Sequence, residues 1–319
     1  MTLVRVISRD NGAGLTRDLA LVADALRDGG HDVEVVAFGS EKGLNALRES
    51  GLRIARLWRG RADVQIFAER IYPRMLALAR RNLLIPNPEW FAPQWTAQLP
   101  AFERVLCKTA HARTIFDGLG VATALIGFTS DDRLDTAVSR ERAFFHGAGR
   151  SSAKGTQVLM DTWRRHPEWP RLTVVQGARS AVRGPPAGNI DHRIGYLADA
   201  TLRQLQNAHS FHICPSEMEG FGHVLMEAMS VGAVTLTTDG APMNELVRPD
   251  RGWLIAPVRE ASKNLSPRYF VDAAGIETAV AHALRASDDA LAAMRATARA
   301  SFQRSQVEFR QRLADVVNG

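Results

Sequence analysis

No run of about eighteen apolar residues occurs in the chain, so no membrane-spanning helix is expected. Cysteine is nearly absent. Cys107 and Cys214 are far apart, each in an apolar strand-like run, and buried reduced thiols in a cytoplasmic setting are expected rather than a disulfide. Neither has the partner spacing of a metal site, and no metal ligands are assigned. The Asp-x-Asp pair, which bridges a diphosphate through a divalent ion, is missing throughout. No complete G-x-G-x-x-G occurs after the first strand, which makes a nicotinamide site a poor fit. The opening residues Met1–Asp10 lack the layout of a signal peptide. No basic run interleaved with aromatics suggests nucleic acid, and that partner is excluded.

Lysine is scarce too: only Lys42, Lys108, Lys154 and Lys263 among 40 basic residues, against 34 acidic ones. The net charge of +6 is therefore almost all arginine. Two readings stay open. A genome biased towards G and C produces it without function; alternatively, basic surface attracts phosphorylated substrates or an anionic membrane face, with peripheral contact at the inner membrane.

What is present is a regular alternation over 319 residues, enough for two domains with separate cores. Apolar strands at 3–9, 32–38, 64–68, 82–85, 104–107 and 122–126 alternate with helical periods at 14–28 and 110–118. Strands that are apolar almost throughout argue for a parallel sheet covered on both faces. A polar stretch, 129–135, reads as a linker. The pattern then restarts, with strands at 143–146, 172–176, 192–196, 211–214, 234–237 and 253–256, a helix over 155–165, and helical sequence from 271 to the end. The expected fold class is α/β, with two Rossmann-like, doubly wound domains facing a cleft, divided as 1–135 and 136–319.

The most informative segment runs from Cys214 to Ser230. A buried strand leads through Glu219-Gly220-Phe221-Gly222 into an amphipathic helix from about His223, and a second acid, Glu227, follows eight positions after the first. Free N–H groups and the positive helix end make such a turn an anion site. Glu219 beside it can touch the polar part of a phosphorylated ligand, and Glu227 can reach hydroxyls. Phe221 is expected to be exposed, since packing does not require a Phe between glycines.

The order of these residues resembles the E-x7-E segment of retaining GT-B glycosyltransferases of family 4 (glycosyl transferases group 1). Pro215, Ser216, Glu219 to Gly222, Glu227-Ala228-Met229 and Gly232 all fall in the family's order. The resemblance implies a nucleotide-diphosphate sugar as donor substrate, no separate cofactor, and transfer with retention. It implies that Glu219 contacts the donor sugar and Glu227 the ribose, while Gly220, Phe221, Gly222 and His223 border the diphosphate. It also implies that the last helix, about 300–319, returns to the first domain.

Gly147-Ala-Gly-Arg-Ser-Ser-Ala-Lys-Gly155 is similar to the family's G-R-x-K-G region. Arg150 can fork onto phosphate oxygens and Lys154 adds a point charge, so both are assigned to catalysis with Glu219. The gap between them is a residue shorter than in many members. Gly12 and Gly14, after the first strand, fall where many family members have a glycine-rich loop that approaches the donor phosphate or the acceptor, and they are assigned to the donor. Asn87 and Glu89, stiffened by Pro86 and Pro88, and His111 are the acceptor-side candidates. The family's first-domain histidine has no clear counterpart. Trp90, Trp95 and Trp253 can stack on a sugar, although core roles are the default. The acceptor itself, whether glycan, lipid or small molecule, is not indicated. Rival readings are a nucleotide-sugar epimerase and a non-catalytic nucleotide-sugar binding protein.

Overall fold

The computed structural model describes residues 2–9, 14–39 and 42–319. The chain forms two compact units: Met1–Thr129 with Ser305–Gly319, and Ser130–Arg304.

In the first unit, the described residues form six strands: β1 (Leu3–Arg9), β2 (Asp32–Phe38), β3 (Ala62–Ala68), β4 (Ala79–Ile85), β5 (Arg104–Cys107) and β6 (Thr123–Leu125). Their order is β2-β1-β3-β4-β5-β6 and every pairing is parallel. Three helices connect them: α1 (Gly14–Asp28), α2 (Lys42–Arg59) and α3 (Ala110–Asp117). Single 3-10 segments occupy Pro73–Leu78 and Pro93–Ala101. The core is made by strand residues such as Val4, Val6, Ile66, Phe67, Leu83 and Leu84, against which α1 lays Leu19, Val22, Ala23 and Leu26. Burying one apolar stripe per helix against the sheet is the main term holding this layer together.

The second unit repeats the plan. Its strands are β7 (Glu141–Gly149), β8 (Leu172–Gln176), β9 (Ile190–Ile194), β10 (His209–Cys214), β11 (Val234–Thr238) and β12 (Gly252–Ile255), ordered β12-β11-β10-β7-β8-β9 and again parallel. An antiparallel hairpin, β13 (Arg259–Lys263) with β14 (Ser266–Phe270), stands apart from this sheet. The helices are α4 (Thr156–Arg164), α5 (Asp199–Ala208), α6 (His223–Ser230), α7 (Met243–Leu246), α8 (Ala273–Arg285) and α9 (Asp288–Asn318). Phe144 stacks on Phe211 at 4.8 Å and meets Trp163 edge-on at 4.9 Å, fixing α4 to the sheet. The end of α9 belongs to the first unit, where Phe309 packs on Phe128 at 4.7 Å. Arg81 there donates to the carbonyls of Val316 and Val317, which have no partner within the helix.

Two α/β units with all-parallel sheets are the GT-B class of fold. Some expectations are corrected. The strand expected at 192–196 lies at Ile190–Ile194, and the helical tail breaks between Arg285 and Asp288. The stretch 129–135, read as a linker, contains the division between the two units at Thr129/Ser130 but is tied to the second unit. Arg133, Leu134 and Asp135 are bonded to Gln206, Arg203 and Asn207 of α5. Helices α2 and α5 and the hairpin were not anticipated. Cys107 and Cys214 are buried and free, and burial pushes both thiols up to about 12. Among the described residues no helix is long and apolar enough to cross a membrane.

Candidate functional site

In a doubly wound sheet the connections run opposite ways from one strand pair, and ligands settle in the crevice at the carboxyl ends of that pair. For the second sheet the reversal falls between β7 and β10, since β8 and β9 lie on one side and β11 and β12 on the other. The loop after β7 carries Arg150 and Lys154. The loop after β10 carries Glu219. Strand order therefore joins two segments 65 residues apart in sequence.

Local chemistry brings them into contact. Gly155, at the N-cap of α4, has φ +63°, and a Cβ there would lie 2.3 Å from the Pro215 carbonyl oxygen. Only glycine permits that approach in a left-handed conformation. The Glu217 N–H donates to the Ala153 carbonyl at 3.0 Å, a second tie between the loops. Lys154 Nζ then donates to Glu219 Oε1, with the two side chains only 14% and 11% exposed. Arg150 is exposed. Gly222, at φ +106°, turns the chain into α6, where an added Cβ would press on Leu225 and Leu246 at 3.2 Å.

Phe221 is buried, 4% exposed, and meets His223 edge-on at 5.5 Å. The expectation of an exposed ring is thus corrected: the turn folds its aromatic inward while its backbone rounds the corner. His223 Nδ1 lies 2.6 Å from the Ser130 hydroxyl. Glu227, one turn into α6, is buried and accepts from the Gln206 amide at 2.7 Å. The Gln206 oxygen accepts from Arg133, which also pairs with Asp199 at 2.7 Å. Sequence reading missed Gln206 and Arg133. A glutamine on the apolar face of α5 was the available signal.

His146 on β7 braces the site from within. Its Nδ1 is 2.7 Å from the Ile213 carbonyl, which can only accept, so Nε2 must accept from the Thr156 hydroxyl at 2.9 Å. Burial drives its pKa down to about 4, so the ring is neutral and structural.

The hairpin grips the same loop. Tyr269 N–H donates to the Glu217 carbonyl at 2.7 Å, and Arg268 Nε to the Glu217 carboxylate at 2.6 Å. A cavity of about 500 Å³ adjoins it, walled by Gly155, Asp161, Gln176, Pro215, Glu217 and Phe270 among others. Arg150, Lys154, Glu219 and Glu227 are not on its walls, so this cavity is separate from the candidate residues.

In the first unit the connections reverse between β1 and β3. A buried polar cluster lies at the carboxyl ends there. Lys108 pairs with Asp18, their side chains 4% and 7% exposed, and donates to Asn87 Oδ1 at 3.0 Å. Asn87 in turn donates to Glu69 at 3.0 Å, and Glu69 has a left-handed φ of +65°. Asn87 is thus built into a network, Glu89 is buried, and His111 is half-buried in the first turn of α3, which Thr109 caps. Asp18, Glu69 and Lys108 were missed, although a carboxylate on the apolar face of α1 marks Asp18. Gly14 opens α1, while Gly12 lies outside the described residues. Of the tryptophans, Trp90 is half exposed, Trp95 packs on Phe91 at 5.6 Å, and Trp253 packs on the second core. Among the described residues no group of three or more His, Cys, Asp or Glu could hold a metal ion.

Comparison with known proteins points to the same fold. Residues 192–269 match the family model described as glycosyl transferases group 1. No curated protein sequence matches the chain. Among solved structures it is similar to Anabaena Alr3699/HepE in complex with UDP and glucose, at 14% identity and TM-score 0.72, covering 100% of both chains. It is also similar to sucrose-phosphate synthase from Thermosynechococcus elongatus, at 14% identity and TM-score 0.71, covering 100% of this chain and 98% of the other. A third is the pneumococcal O-GlcNAc transferase GtfA in complex with UDP and GlcNAc, at 14% identity and TM-score 0.65; 85% of this chain aligns with 60% of that one. The fold is GT-B. Glu219, Glu227 and most of the hairpin lie within the 192–269 match to the group 1 glycosyltransferase model.

Proposed function

We propose that the chain is a retaining, metal-independent glycosyltransferase that moves a sugar from a nucleotide diphosphate to an acceptor hydroxyl. The observation that carries this reading is the Lys154–Glu219 pair at the carboxyl switch point of the second sheet. Lys154 has three N–H donors, so it can keep Glu219 and still meet a phosphate oxygen. Arg150 adds a planar fork for the same diphosphate. Glu219, held by Lys154, accepts from hydroxyls of the donor sugar, with Gly220, Phe221, Gly222 and His223 around the phosphates and Glu227 on the ribose. Gly14, which opens α1 of the first unit, is a further donor-side candidate.

In the step itself, the acceptor oxygen bonds to the anomeric carbon on the face that the leaving group departs. The carbon–oxygen bond to the diphosphate breaks with its electron pair going to phosphate, and the departing oxygen takes the acceptor proton. Arg150, Lys154 and the amides opening α6 stabilise the charge that develops, a contribution on the order of 100-fold or more per preorganised donor. Asn87, Glu89 and His111 of the first unit are the acceptor-side candidates. UDP in the HepE and GtfA complexes supports a UDP-sugar as the first donor to try.

The test is turnover of UDP-, GDP- and ADP-sugars with an acceptor panel, with and without a chelator, and the product's anomeric configuration read by NMR. The reading expects transfer with retention that survives chelation. Inversion or chelator-sensitive transfer overturns the finer claim. Binding without turnover on any acceptor points to a binding protein, and loss of tritium from the sugar carbon without transfer to an epimerase.

A further inference from the structure

Helix α2 is out of keeping with the rest of the fold. It runs for 18 residues, Lys42–Arg59, yet none of its described residues is buried. A helix that buries no stripe gains little from its own hydrogen bonds in water, and helices of this length are marginal alone. It leaves its largest apolar side chains in solvent: Leu47 is 69% exposed, Ile54 60%, Leu57 80% and Trp58 87%. At about 100° per residue, Leu47, Ile54 and Trp58 fall on one line along the helix, with Leu57 about 80° round from it on the Arg53 side. Arg48 and Arg53, both exposed, stand on opposite flanks of that line. The single acid of the helix, Glu49, lies on the far side and pairs with Arg74 at 3.7 Å.

We propose that α2 is a membrane-docking helix, which lies in the interface of an anionic phospholipid surface with Leu47, Ile54, Leu57 and Trp58 among the acyl chains and its arginines at the headgroups. Charge and shape choose this occupant. A row of leucine, isoleucine and tryptophan edged by arginine suits lipid phosphates above hydrocarbon, and the flanking cations repel a basic partner. An acidic protein would satisfy the arginines as well, and binding to bare anionic vesicles separates the two. The helix is about 27 Å long at 1.5 Å per residue and, lying flat, presents the whole row at once.

The test is co-sedimentation of the full chain with phosphatidylcholine vesicles, plain or doped with phosphatidylglycerol. This needs no donor and no turnover, so its outcome is independent of the transferase reading. The expected result is binding to the anionic vesicles only, weakened by salt. Leu57→Ser/Trp58→Ser should lower the partition coefficient about tenfold or more, and Arg53→Glu about fivefold or more. Both variants alter exposed side chains, so circular dichroism and the unfolding midpoint should not move. Equal binding to neutral vesicles, undiminished binding of the double variant, or no vesicle binding by the wild type would overturn the proposal. So would concentration-dependent dimerisation of the wild type, abolished by the double variant, without vesicle binding.

Discussion

Replacing Lys154 by alanine probes the site at its narrowest point. The ammonium is removed from beside Glu219, whose side chain is only 11% exposed. Breaking a buried pair by removing one partner costs about 3–5 kcal/mol when the remaining charge is fully enclosed. Here the loop edge admits some water, so a loss on the order of 2 kcal/mol in the unfolding free energy is expected. The kinetic effect should be larger than that figure suggests, because Lys154 is also assigned to the developing phosphate charge. Losing one preorganised donor lowers kcat by roughly 100-fold or more. Initial-rate assays and urea unfolding on Lys154→Ala, Glu219→Gln and the double variant give a cycle. The reasoning predicts strong non-additivity, with the double variant hardly worse than either single one, because the residues act as one unit. Wild-type kcat in Lys154→Ala, or fully additive losses, would refute it.

Gly155→Ala should destabilise the second unit by on the order of 3 kcal/mol, seen as a lowered thermal midpoint, because the new Cβ meets the Pro215 carbonyl at 2.3 Å in a left-handed conformation. Arg268→Ala releases Glu217 and should lower kcat roughly tenfold while changing stability by under about 1 kcal/mol, with partial rescue by Arg268→Lys. An equal fall in stability and rate would mean that Arg268 is merely structural. Acid should weaken the fold through His146 and His212, whose buried rings are held down to about 4 and about 3 from an ordinary 6.5. Below pH 6.5 the unfolded chain binds protons that the folded one refuses, so stability falls by about 1.4 kcal/mol per pH unit per group until the folded pKa is reached. Above pH 6.5 this contribution is constant. Urea midpoints at pH 7.5 and 5 should differ accordingly, and a flat profile would count against it. His166 works in the opposite direction but is near the surface: desolvation is the largest single effect on it, and the bonds and charges of Glu277 and Glu168 together outweigh that and raise its pKa.

Much of the scaffold could be read from residue order because its strands are buried on both faces. Runs such as Leu3–Arg9 and Phe211–Cys214 are mostly apolar and buried almost throughout, and α1 has a clean stripe. The hairpin was invisible for the opposite reason: Arg259–Lys263 is polar and does not alternate, and its turn rests on Asn264 at φ +51°. For α2, periodicity cannot distinguish a stripe that meets a core from one that meets solvent. The site divides in the same way. Glu219, Glu227, Arg150 and Lys154 announce themselves by type and spacing near glycine turns. Their pairing does not, since Lys154 reaches Glu219 only once strand order puts β7 beside β10. The same holds for Asp18 and Lys108, 90 positions apart. Phe221 misled because a Gly-Phe-Gly turn can point its ring either way, and tertiary packing takes it inward.

Hydrogen–deuterium exchange with and without a bound UDP-sugar tests the placement of the donor most directly. The account predicts protection concentrated in the loop after β7, residues 147–156, and in the loop entering α6, residues 215–225, with little change around β2 and α2. Binding detected by calorimetry together with protection elsewhere, and none in these two loops, would contradict it.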